Sequence, residues 1–488
     1  MGNSTKAVFL LSALYVVSSH ASMHPVKPFA QQYISDSINW MTEQNIVCDL
    51  AEQSHPMCDS VTVHFNDGNY DPQRTKSQQT VLVLDYGMDL QTVLRYRSRV
   101  IATYKYDHQN QSFVADNPSV TISKLGKKLL TELDGFTYLN GETGYTESGF
   151  LPAAWLGELA AKYVSIAKHD KYDHITGKPH FSHGTKVFGY LAQHNPDAEF
   201  VIVDTESFSP FINHKDALCS RNIEALHSKM QRAANSLRAD VIEQHGVEYI
   251  NYSGGFERTD VRNAWSSSSC NGQLSNSTAT EFVKSIKPIY DVLFNTHGVL
   301  GLHAGAIGAS SSENPLDVTE YPNRVRVMSY TTGPVDTNIT ATGDLNWQQV
   351  FVDHTSEFNG DKYIDLFVNF GYGRSDFWEQ NSTPKMASDV YGMRYGADWE
   401  FPSSSWATPI ATSYAIATQT QLELDRQITW FDPALLKQTL LPNQCFDNGG
   451  YFINFKLSQF IRDGEGVCRI QDPLKHRIDE LNRQKYLN

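Results

Sequence analysis

Three residues far apart in the chain have the types needed to turn an alcohol into a nucleophile: Asp85, His183 and Ser405. Acyl transfer by a serine needs a base to take the hydroxyl proton, an acid to orient that base, and donors to hold the developing oxyanion. Ser405 lies in the run Ser403-Ser404-Ser405-Trp406-Ala407-Thr408-Pro409, which leads into the apolar-periodic stretch Tyr414 to Leu424. Small hydroxyl residues, then a proline, then a periodic stretch predict a helix start with a serine cap. A hydroxyl there stands beside unpaired backbone N–H groups and the positive end of the helix dipole, both of which favour a nearby oxyanion. Taken singly, the run is an ordinary Ser/Thr cap, Asp85 a turn former and His183 a helix-start histidine. What joins them is that each stands at the end of a strand or the start of a helix.

The elements that must position them follow from the hydrophobic pattern. Thr80 to Leu84 is a continuous β-branched and aliphatic run that stops at Asp85-Tyr86-Gly87, the pattern of a strand buried on both faces. Leu90 to Tyr104 reads as a helix followed by a strand. Ser123 to Leu133 has helical spacing, and Leu151 to Lys168 is amphipathic, with Leu156, Leu159, Ala160, Tyr163 and Ile166 on one face. His183-Gly184-Thr185 opens a helical stretch that runs through Ala192. Glu199 to Val203 is a second buried strand, Asn222 to Glu243 a long helix, and Val247 to Ile250 a third strand running into Asn251-Tyr252-Ser253-Gly254-Gly255. Thr280 to Leu293 is helical, Val299 to Leu302 is a strand reaching Gly305, and Val325 to Ser329 is another. Strands separated by helices at this interval predict an α/β domain, a mostly parallel sheet with helices on both faces and right-handed crossovers. Ligands of such sheets bind beyond the carboxyl ends of the strands.

On these residues the sequence resembles the subtilisin-like serine proteases. Val81-Leu-Val-Leu-Asp85-Tyr-Gly-Met-Asp89 looks like their aspartate motif, His183-Gly-Thr-Lys-Val-Phe-Gly189 like their histidine motif, and Ser405-Trp-Ala-Thr-Pro409 like their nucleophile motif, in the family's chain order. Val247 to Gly255 resembles the segment that pairs with substrate as an extra strand, here Ser253, Gly254 and Gly255. The resemblance covers 76–461 with long insertions. It implies an endopeptidase acting through an Asp85/His183/Ser405 triad and an acyl-enzyme on a polypeptide substrate. It also implies a place for a propeptide in the N-terminal segment 22–75, and it makes calcium a family expectation for which no ligand spacing is recognisable. Two departures stand out. Ala306 falls where the family carries an oxyanion-holding asparagine, and Ser403-Ser404 with Trp406 replaces the family's flanks of the nucleophile. His303, Asn295 and Asn314 are the nearby side chains that could stand in as donors. The departures leave a second reading open, a catalytically impaired relative that binds extended peptides. A G-x-S-x-G elbow followed by acid and base, as in other α/β serine hydrolases, does not occur around Ser405.

Composition bounds the rest. The 488 residues are 40% hydrophobic with a net charge of -14, which argues against a nucleic-acid partner. Residues 1–21 read as a signal peptide: Lys6, an apolar core from Ala7 to Val17 and a small-residue site at Ser19-His20-Ala21. That core is too short for a membrane span, so the chain reads as secreted or periplasmic and as a monomer. Six cysteines fall as neighbouring pairs, Cys48 with Cys58, Cys219 with Cys270, and Cys445 with Cys468; neighbour pairing is the simplest of the connectivities open to six cysteines in an oxidising compartment. None has the spacing of a zinc site, and no metal is expected. Residues 462–488 are charged and read as a C-terminal surface tail.

Overall fold

The computed structural model describes residues 26–49, 52–53, 55–65, 79–88, 90–134, 136–139, 146–148, 151, 155–167, 182–195, 197–306, 309–332, 352–353, 363–372, 387–388, 390, 393–394, 403–424, 430–441 and 469–470. The signal stretch 1–21, the Cys445 and Cys468 pair and the predicted segment Tyr451 to Ile461 lie outside them. Among the described residues, ten strands form one sheet. Nine lie along its path: β1 (Gln79–Asp85), β2 (Val100–Asp107), β3 (Ser112–Asp116), β4 (Ala198–Asp204), β5 (Tyr249–Tyr252), β6 (Leu300–Ala304), β7 (Arg324–Thr332), β8 (Leu366–Tyr372) and β9 (Arg469–Ile470). Their spatial order is β9-β8-β7-β6-β5-β1-β4-β2-β3. Neighbours on this path are parallel except β2 with β3. The tenth strand, Val352–Asp353, pairs antiparallel with β7.

Strands β1, β4 and β5 explain why the sheet is covered twice. Every residue of β1 is buried, and its side chains alternate: Val81 and Val83 enter one core, Leu82 and Leu84 the other. Phe200 and Ile202 of β4 join the first pair, Val201 and Val203 the second. A period of two with both sets apolar leaves neither face for water. One face carries α1 (Lys27–Glu43), α2 (Lys124–Asp134), α3 (Gly157–Ile166), α4 (His183–His194) and two helices late in the chain. The other carries α5 (Ile223–Ser236), α6 (Arg258–Ser267), α7 (Asn276–Lys284) and α8 (Lys287–Asn295). The late helices are α9 (Ser404–Leu424) and α10 (Pro433–Leu440). The chain is an α/β domain with a mostly parallel sheet and helices on both faces, as its pattern predicts.

Several boundaries move for identifiable reasons. The strand expected over Val247 to Ile250 forms at Tyr249–Tyr252, because the Val247 N–H closes the preceding helix on the Ile242 carbonyl. The long helix from Asn222 ends as α-helix at Ser236 and continues to Glu243 as a π-helical turn. The single helix expected over Thr280 to Leu293 is two, broken at Ser285-Ile286 ahead of Pro288, since a proline disfavours helix before it and supplies no N–H. Arg469–Ile470, within the charged stretch read as a tail, adds a parallel strand to β8.

The N-terminal segment is built into the domain. Val26, Ala30, Ile34 and Met41 are buried in the same core as Val187 and Phe188 of α4. Phe65 lies 6.0 Å from Phe188, ring to ring, and Ser60–His64 pairs antiparallel with Ser119–Ser123. Disulfides join Cys48 to Cys58 and Cys219 to Cys270. Among the described residues no helix is long and apolar enough to cross a membrane.

Candidate active site

The centre of the sheet places the expected acid. Asp85 is the last residue of β1, between β4 and β5, where the chain has turned from one side of β1 to the other; ligands of open α/β sheets bind at such a switch point. The Asp85 side chain is 1% exposed and its Oδ1 is 2.6 Å from His183 Nδ1. The same oxygen accepts the Tyr86 N–H at 2.7 Å. Burial pushes the Asp85 carboxyl above its ordinary value, the imidazole and the Tyr86 N–H pull it back, and Asp204, opposite it on β4, pushes it up again. A carboxylate oxygen beside Nδ1 fixes the proton on that nitrogen and leaves Nε2 as the basic one.

The loop after β1 holds the start of α4. The first N–H groups of a helix lack internal partners, and here the Gly184 N–H donates to the Tyr86 carbonyl at 2.8 Å and the Thr185 N–H to the Gly87 carbonyl at 3.3 Å. The Ser182 hydroxyl donates to that Gly87 carbonyl as well. A side chain at position 184 would put its Cβ 2.8 Å from the Tyr86 carbonyl oxygen. This closeness is the reason for a glycine directly after the histidine. Backbone contacts thus tie the acid's strand to the base's helix independently of the side-chain bond.

The serine helix docks through its proline. Pro409 lies inside α9 and has no N–H for the Ser405 carbonyl four residues back. The Ser253 hydroxyl fills that vacancy, donating to the Ser405 carbonyl at 3.0 Å. The Ser405 hydroxyl donates in turn to the Ser253 carbonyl at 3.4 Å, and the Ser405 N–H to Ser403 Oγ at 3.2 Å. Ser405 is therefore joined to the Ser253–Gly255 segment, and among the described residues no hydrogen bond links its hydroxyl to His183. It is next to the imidazole through its neighbour. The His183 ring lies between Trp406, 4.8 Å away and tilted by 37°, and Tyr86, 4.7 Å away and nearly parallel. Sequence reasoning noted Trp406 only as a departure and did not single out Tyr86. An aromatic directly after two of the three candidate catalytic residues, Asp85 and Ser405, was the available signal.

The donor set on the far side differs from expectation. Ala306 follows Gly305, whose N–H donates to the Val327 carbonyl at 2.7 Å, and a methyl side chain donates nothing. None of the three side chains suggested to stand in is free to do so. His303 is fully buried with Nε2 2.8 Å from the Gly254 carbonyl, and Asn314 donates to Glu257 at 3.3 Å. Asn295 lines a cavity of about 380 Å³ with Arg238, His297 and Val299, beside the amino end of β6 and away from the carboxyl ends. Beneath Gly254 and Gly255 lies a polar group that the motifs did not reveal: Tyr252, Tyr290, His303 and Asp317. Among the described residues no cluster of three or more His, Cys, Asp or Glu could hold a metal ion.

No protein-family model matches the sequence, and no curated protein matches it. Among solved structures, the chain is similar to the patellamide maturation protease PatA, at 11% identity and a TM-score of 0.31, over 83% of this chain and 96% of that one. The self-cleaved protease domain of PatA gives 12% identity and 0.31, over 79% and 97%. The prenylagaramide maturation protease PagA gives 12% and 0.28, over 62% and 84%. At scores this far below one half, any chemistry has to rest on the residues of this chain.

Proposed function

We propose that the chain is a secreted subtilisin-like serine endopeptidase acting through Asp85, His183 and Ser405. The observation that carries the reading is the Asp85–His183 pair, 2.6 Å apart at the carboxyl end of the central strand, with Ser405 opening the helix that packs against α4. In this mechanism His183 Nε2 takes the Ser405 proton as the hydroxyl attacks a peptide carbonyl, then passes it to the leaving amine. Asp85 holds the imidazole tautomer and stabilises the imidazolium. The Ser405 hydroxyl first leaves the Ser253 carbonyl by a change of staggered rotamer. Substrate lies extended along Ser253, Gly254 and Gly255 as an added strand. The Ser405 N–H holds the oxyanion once it is released from Ser403. With Ala306 supplying no donor, the rate is about 10²–10³ below that of a site with two.

A second reading is favoured by one observation, the Ser405 hydroxyl bonded to Ser253 and not to the imidazole. In that reading the chain grips extended peptides without cleaving them. Fluorophosphonate labelling separates the two. The protease reading expects labelling of purified chain that is lost in Ser405→Ala, with cleavage of casein at neutral pH. Labelling that survives Ser405→Ala removes Ser405 as nucleophile. No labelling and no cleavage, with peptide still bound, establishes the binding protein.

A further inference from the structure

The second acid–imidazole pair, His303 with Asp317, lies under the segment that the proposed function assigns to substrate, and the inference rests on that assignment. Tyr252 of β5 and His303 of β6 are register partners in neighbouring parallel strands. Their rings stack at 5.2 Å and are parallel within 5°. Two residues beyond Tyr252 the Gly254 carbonyl lies 2.8 Å from His303 Nε2. A carbonyl oxygen only accepts, so Nε2 carries the proton. His303 carries just that one, because burial and the charges of Arg324 and Arg326 push its pKa well down. Nδ1 is buried and has no hydrogen-bond partner among the described residues. One donor therefore faces two acceptors, the Gly254 carbonyl and, 3.7 Å away, Asp317 Oδ1. We propose that His303 is a positioning residue for peptide binding, holding Ser253–Gly255 in place through the Gly254 carbonyl, and that Asp317 competes for the same imidazole proton.

Asp317 is placed to do this. Its carboxylate also abuts Gly255, where a Cβ would come within 3.4 Å of Oδ2. Tyr290 of α8 donates to its Oδ1 at 3.2 Å, Arg324 and Arg326 of β7 face it with positive charge, and Glu257 ahead of α6 faces it with negative charge. Burial outweighs the arginines and raises its pKa to about 7. Below that pH the neutral carboxyl is a poor rival to the Gly254 carbonyl. Above it the carboxylate is a charged acceptor, roughly twice as strong as a neutral one. The imidazole proton is then drawn from Gly254, and the grip on an extended peptide slackens as pH rises through neutrality.

The test uses the full chain carrying Ser405→Ala, with fluorescein-labelled casein followed by anisotropy from pH 6 to 8. Affinity should fall roughly fivefold across that range, the worth of one neutral hydrogen bond. Asp317→Asn should flatten the profile. At pH 6, His303→Gln, which keeps an N–H near the Nε2 place, should bind within about twofold of the parent, and His303→Leu roughly fivefold more weakly. Should His303→Leu not fold, the Asp317→Asn profile decides. In chains that keep Ser405, the change should fall on KM and leave kcat unmoved, which a merely structural loss would not do. A flat profile in the parent, or Gln and Leu variants that bind alike, overturns this inference alone. If the parent binds no casein at any pH, the assignment of Ser253–Gly255 to substrate fails and takes the inference with it.

Discussion

Two carboxyl–imidazole pairs stand toward the carboxyl ends of β1 and β6, with β5 between them, and their surroundings differ. Asp85 and His183 come from β1 and α4, 98 residues apart in the chain, and meet at 2.6 Å. Asp317 and His303 come from one stretch and stay 3.7 Å apart. Both acids are buried and both have raised pKa values. The difference is on the imidazole. His183 is 16% exposed at its side chain and, among the described residues, is hydrogen-bonded only at Nδ1. His303 is fully buried and its Nε2 is committed to a backbone carbonyl. In the proposed function the same two residue types give a base in one place and a backbone clamp in the other, according to which ring nitrogen the fold leaves unused.

The comparison breaks most sharply at the Asp85–His183 pair. His183→Ala should lower casein hydrolysis by about 10⁶, and Asp85→Asn by about 10⁴ through the wrong tautomer. Equal and small losses at both positions would place the chemistry elsewhere. Ala306→Asn should raise kcat, by as much as about 10² if the amide reaches the oxyanion, and a kcat that stays put would show that this loop does not face it.

Stability sharpens the contrast at the buried pair. The folded chain holds the Asp317 proton more tightly than the unfolded one does. Its contribution therefore favours folding at acid pH and is lost as pH rises from the ordinary carboxylate range to about 7. Urea unfolding at pH 5 and pH 8 should show a smaller difference in Asp317→Asn than in the parent. Replacing Cys219 and Cys270 by serine should cost about 2–4 kcal/mol, read as a lower unfolding midpoint, while the labelling rate of Ser405 in the folded chain is unchanged. The smallest effect belongs to the ring stack. Tyr86→Ala should lower kcat about three- to tenfold, the worth of one ring pair, and have no effect on casein affinity in the Ser405→Ala chain.

Much of this was legible before any coordinates. The buried runs at Thr80 to Leu84 and Glu199 to Val203 named their strands, because a strand covered on both faces admits apolar side chains at every position. His183 and Ser405 were legible as helix starts from Gly-Thr and from the serine run with its proline. The ends of elements were less so. The slip of β5 by two residues depends on a single local hydrogen bond, Val247 N–H to the Ile242 carbonyl, and the break at Ser285-Ile286 on how far ahead of Pro288 the helix gives way.

The sequence by itself determined the fold class, the order of Asp85, His183 and Ser405 and the alanine at position 306, since each is written in residue types and periods along the chain. Only the tertiary structure decided that, among the described residues, Ser405 bonds Ser253 and not the imidazole, that His183 lies between Tyr86 and Trp406, and that His303 Nε2 meets the Gly254 carbonyl beside Asp317. Those contacts join side chains from strands and helices many residues apart. No local period records them, because they exist only once the sheet has brought its carboxyl ends together.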